Sequence, residues 1–187
     1  MSEFWEMVNR PKDAFRRMNR PLSWGLVAAT ILVVVLINPL LGHVVNGFGA
    51  SILSVRTLLL ILAGAESYLA ECAGFYWICR AFGSTVRFST YLDAWGLTFL
   101  PTLICALTLA FTESFFYLFW GNALLGALMS AWFLGLLFWK AILYGIFLRE
   151  AACLDGKRFW AGFAGCGALV AVLTFLDLAA GLNTPVL

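Results

Sequence analysis

The sequence predicts an all-α polytopic membrane protein, a bundle of five transmembrane helices preceded by an N-terminal interfacial amphipathic helix. Two observations on composition and one on position carry that expectation. Hydrophobic residues make up 63% of the 187 and charged residues 12%, whereas a soluble domain averages about 45–50% and about 25%. The apolar residues gather in blocks of about twenty or more, the length of helix that crosses about 30 Å of hydrocarbon. Ten of the twelve Lys and Arg residues fall in the N-terminal flank and in alternate connecting segments, as the positive-inside rule asks of a chain that threads back and forth.

The expected organisation is a cytoplasmic amphipathic segment, 1–21, followed by a five-helix domain, 22–187. In the first segment Phe4, Trp5, Val8, Phe15 and Met18 alternate with Arg10, Lys12, Arg16, Arg17 and Arg20, so a helix would turn an apolar edge to the headgroups and its bases to anionic lipid. The following block is too long for a signal peptide and has no small-residue cleavage site behind it, so it is expected to be retained. Spans are predicted at about 22–41, 52–81, 93–111, 123–148 and 159–182.

Each span has its own punctuation. The first carries Trp24 near its start and Asn38-Pro39 near its end, and the loop after it holds His43, the one histidine of the chain. A lone loop histidine lacks the convergent partners of a metal site and reads as solvent-facing. Gly83 supplies a stop for the second span. The third holds Pro101 in its body, where the missing N–H frees a carbonyl one turn earlier and favours a kink. Asp155-Gly156 turns the chain into the fifth span. Trp24, Trp77, Trp95 and Trp160 are expected near the cytoplasmic surface and Trp120 near the outer one, as an aromatic belt. The five cysteines include no CxxC pair, and no disulfide is expected. The N-terminus is placed in the cytoplasm, and an odd number of spans puts the C-terminus outside.

The intramembrane ionisable residues are the candidate site. Glu66 and Glu71 lie inside the second span and Lys140 inside the fourth, where a charge is costly and usually faces the bundle interior. Glu71 and Lys140 are each about nine residues, roughly 13–14 Å, from a cytoplasmic arginine, so their depths match and a pair is predicted. Glu66 is turned about 140° from Glu71 around the axis. It is expected to be protonated and bonded to a hydroxyl or to the carbonyl released by Pro101. Nearer the outer surface, Arg56 is predicted to bridge Asp177 or Glu113. The bland reading makes all these charges glue between helices that small residues bring close, Gly64, Ala70 and Gly74 in the second span and Gly162 and Gly165 in the fifth among them.

Several function classes are excluded or disfavoured. A net charge of +2 does not argue for nucleic acid. No histidine lies within a span, and there is no HExxH, no phosphate-binding glycine loop and no cluster with metal-ligand spacing, so neither enzymatic activity, nor a metal, nor a cofactor is expected.

The order and spacing of three motif groups resemble the Yip family, membrane proteins named for interaction with Ypt/Rab GTPases. They are Asn9-Arg10-Pro11-Lys12-Asp13-Ala14-Phe15 with Pro21, then Phe82-Gly83-Ser84 through Tyr91-Leu92-Asp93-Ala94-Trp95-Gly96 to Pro101, and Leu148-Arg149-Glu150-Ala151-Ala152 through Gly156-Lys157-Arg158. The resemblance implies a five-helix domain with a cytoplasmic N-terminus. Eukaryotic members carry a long cytosolic region before the spans and bind partner proteins in vesicle traffic; the short segment here implies a bacterial, inner-membrane type. The expected function is that of a non-enzymatic membrane organiser or adaptor. The alternative is a small ion or solute channel or transporter built on Glu66, Glu71 and Lys140. The expected partners are the lipid bilayer and either a second copy or another membrane protein.

Overall fold

The computed structural model describes residues 3–46, 55–116, 119 and 121–179. They are almost wholly helical. The helices are α1 (Glu3–Asn9), α2 (Pro11–Arg17), α3 (Arg20–Asn46), α4 (Val55–Ala81), α5 (Phe88–Trp95), α6 (Phe99–Ser114), α7 (Ala123–Ile146) and α8 (Gly156–Ala179). A 3-10 turn, Gly96–Thr98, joins α5 to α6, and a π-helical turn, Phe147–Ala151, extends α7. Four stretches among the described residues are long and apolar enough to cross a membrane: Thr57–Ala81, Phe88–Thr112, Ala123–Ala151 and Gly156–Leu176. A fifth arises if α2 and Arg20–Leu36, bent by 109° from one another, are taken together.

Local chemistry explains most of the boundaries. The Asn19 side chain accepts a hydrogen bond from the Leu22 N–H at 3.2 Å, and Pro21 in the first turn gives up only an N–H that the helix leaves unused. Asn122 caps α7 through the N–H groups of Leu124 and Leu125. At the end of α4 the Ser84 N–H bonds the Cys79 carbonyl and the Gly83 N–H that of Arg80. Gly83 takes φ +94°, the left-handed conformation this Schellman closure needs.

The spans pack in the order α8, α4, α3, α6, α7, with α5 crossing inside against α3 and α4. Inside a bilayer the alternative to a protein neighbour is an apolar lipid tail, so close fit rather than escape from water holds these contacts. Small residues provide it: Gly74 lies under Leu169 and Gly165 under Ile78 at the α4–α8 seam. The small-residue contact expected between the second and fifth spans is therefore formed.

Two sequence expectations change. The third span runs as one stretch, Phe88–Thr112, tightened into a 3-10 turn at Gly96–Thr98, and Pro101 occupies the first turn of α6 behind it. The N-terminal segment is two short helices broken at Arg10 and ended by Met18 in the left-handed region, φ 47°. Part of its apolar edge faces protein, not headgroups: Met7 and Phe15 are buried, and Phe15 meets Phe147 edge-on at 6.3 Å. Trp5 alone of that edge is 56% exposed among the residues whose side chains are described.

Candidate functional site

The polar centre lies where α4, α5, α6 and α7 converge. Glu71 is 1% exposed, and its Oε2 accepts a hydrogen bond from the Trp95 indole N–H at 2.7 Å. Trp95 is placed for this by the last turn of α5 and is itself held by Phe75, with ring centroids 4.5 Å apart, and by Phe147 at 5.1 Å. Across the centre, Lys140 donates from Nζ to Thr102 Oγ1 at 2.8 Å and stands over the Phe99 ring, 5.5 Å from its centroid. The 3-10 turn and Pro101 lie between Trp95 and Thr102, the residues by which the third span meets Glu71 and Lys140.

Glu66 is elsewhere. It lies on the exposed side of α4, and the predicted bond to a hydroxyl or to the carbonyl freed by Pro101 is not made among the described residues. The physical reason is the 100° step of the helix: Tyr68, Cys72, Phe75 and Cys79 turn one face inward, Glu71 beside them, and Glu66 points the other way. Of the predicted site residues, the fold gathers Glu71, Lys140 and Pro101 and leaves Glu66 outside. The side chains of Arg56, Glu113 and Asp177, the predicted outer bridge, lie outside the described residues, as does that of His43, whose backbone belongs to α3 and not to the expected loop.

Trp95 is the partner that pattern reasoning missed. The belt expectation put it at the membrane surface, but it is 2% exposed, whereas Trp77 and Trp160 are 68% and 69% exposed as a belt requires. Its nearness to Pro101 was the available signal. A cleft of about 200 Å³ opens between α7 and α8, lined by Trp95, Leu137, Lys140, Ala141, Tyr144 and Val170 among others.

Ion pairs at one end of the bundle tie separate segments together. Arg16 Nε meets Glu150 Oε2 at 2.7 Å, and Arg20 Nε meets Asp93 Oδ2 at 2.9 Å. The hydrogen bond and charge of Glu150 hold the Arg16 guanidinium above its ordinary pKa. Trp24 donates to the other Asp93 oxygen at 3.3 Å. Ser84 Oγ donates to the Ala152 carbonyl at 2.7 Å. These contacts join the very segments that carry the motif groups of the sequence. A family model described as the Yip1 domain matches residues 5–177.

The chain belongs to the Yip1 domain family. The match runs from the N-terminal helices into the last span, so the docked α1–α2 pair is part of the Yip1 domain and not an appendage to it. No curated protein and no solved structure shows a significant match to the chain. The chain is thus a multi-pass membrane protein of the Yip1 family, with Glu71, Trp95, Thr102 and Lys140 as its intramembrane polar centre.

Proposed function

We propose that this Yip1 protein is a non-enzymatic organiser or adaptor of the bacterial inner membrane, its N-terminus in the cytoplasm. The observation that carries the reading is the separation of the two acids. A path for ions would line several polar groups along one wet surface, whereas here Glu71 is buried and bonded to Trp95 while Glu66 faces outward. The inner groups are engaged in joining helices, which suits a scaffold that presents its surfaces to others.

The transport reading keeps one observation in its favour, the α7–α8 cleft that reaches Lys140. Two native thiols discriminate the readings without any substitution. Cys72, next to Glu71, is fully buried, and Cys153, in the connection before α8, is exposed. A small charged methanethiosulfonate added to both sides of vesicles is expected to modify Cys153 and to leave Cys72 intact by peptide mass mapping. Modification of Cys72 at a comparable rate would mean water reaches the centre and would sink the organiser reading.

A further inference from the structure

We propose that Glu66 is the centre of a homodimer interface, in which α4 packs along α4 of a second copy. Glu66 lies about nine residues, roughly 13–14 Å of helix, from Thr57 where the span begins and further still from its other end at Ala81. A glutamate side chain cannot reach the headgroups from there. A carboxyl held at that depth against lipid tails is costly, so a polar group has to cover it.

Three features point to a second copy as that cover. Every copy of a membrane protein inserts the same way round, so a symmetry axis along the membrane normal sets Glu66 opposite Glu66 at equal depth. A carboxyl is self-complementary: a pair sharing at least one proton supplies both the donor and the acceptor. The face around it also has the right spacing. Leu59, Leu62, Glu66, Leu69 and Ala73 alternate by three and four residues, the seam of a left-handed helix pair. The leucines of that seam are exposed, 58% at Leu59, 57% at Leu62 and 49% at Leu69. A single polar residue at one such position fixes the register of the pair.

The test uses the full chain carrying Cys153→Ser, in membranes at high lipid-to-protein ratio. Leu62→Cys and Leu69→Cys are expected to form intermolecular disulfides on mild oxidation, while Val172→Cys, equally exposed on α8, is not. Single-molecule photobleaching is expected to show two steps. Glu66→Gln, which keeps a donor and an acceptor, should retain the dimer; Glu66→Leu should weaken it about tenfold, which corresponds to about 1.4 kcal/mol. Because Glu66 faces outward in the single copy, both variants should keep the parent's helical circular dichroism, which separates loss of the dimer from loss of the fold. One-step bleaching of the parent, a Val172→Cys cross-link as strong as that at Leu69→Cys, a Glu66→Leu variant that dimerises like the parent, or stoichiometric capture of a different membrane protein at Leu69→Cys would each overturn the proposal.

Discussion

A buried carboxyl needs donors, and at Glu71 one of them is the Trp95 indole. Trp95→Phe keeps a ring against Phe75 and removes that donor. It is expected to lower stability by about 1.5–3 kcal/mol, the range for hydrogen bonds to charged groups, read as a fall in melting temperature in detergent. A variant as stable as the parent would show that the bond contributes nothing. Lys140 tests the other side of the centre. Lys140→Met and Glu71→Gln should each destabilise by about 1–3 kcal/mol, since each removes or weakens a hydrogen bond of the polar centre, Lys140 to Thr102 or Trp95 to Glu71. The double variant should lose less than the two together by about 1–3 kcal/mol. Strict additivity would mean the two charges do not support one another. The sequence placed both acids inside one span correctly but could not say which of them faced the core. A span apolar on nearly all sides has no periodic contrast to mark its inner face, and only the packing of Tyr68, Cys72 and Phe75 decides it.

At the scale of elements, the 3-10 turn between α5 and α6 is the joint on which the centre depends. Gly96 sits there because α3 passes directly over it. A Cβ at this position would lie 2.7 Å from the Ser23 carbonyl oxygen and 2.8 Å from Val27 Cγ2. Backbone cannot yield as a side chain can, so Gly96→Ala is expected to cost about 1–3 kcal/mol. Gly25, on the same α3 but with nothing within 4 Å of a built Cβ, is the control. Gly25→Ala should be neutral or stabilising by up to about 1 kcal/mol from helix propensity. Equal melting temperatures for the two variants would remove the close approach as an explanation. Helix positions were legible in this chain because caps and turn residues, such as Asn122 and Gly83, stand at the boundaries of long apolar runs. The 3-10 turn of the third span was legible only as a kink at Pro101, since a proline marks a disturbed turn without specifying its form. The docking of α1 and α2 was hidden for a different reason: an amphipathic edge looks the same whether lipid or Phe147 covers it.

At the scale of the whole molecule, the ion pairs bear on how often the chain crosses the membrane. Arg20 at the start of α3 is joined to Asp93, and Arg16 to Glu150, while the Ser84 turn after α4 is joined to Ala152. The starts of α3 and α5 and the ends of α4 and α7 therefore share one end of the bundle. α4 begins one span's length from that end, and α2 with Arg20–Leu36 is the fifth candidate crossing beside the four apolar stretches. The bases Arg10 to Arg20, Arg80, Arg87 and Arg149 to Arg158 belong to the segments gathered at this shared end, and the orientation proposed above, which rests on the positive-inside rule, turns that end to the cytoplasm. Cys153 reports the assignment directly, being exposed in the same cluster of connections. A membrane-impermeant thiol reagent is expected to label it in inverted vesicles and not in right-side-out ones. Labelling only in right-side-out vesicles would place the basic end outside and invert the molecule. Labelling in neither would mean that a partner or the membrane surface covers the connection before α8, and the exposure of Cys153 could no longer be taken as that of the protein in its membrane.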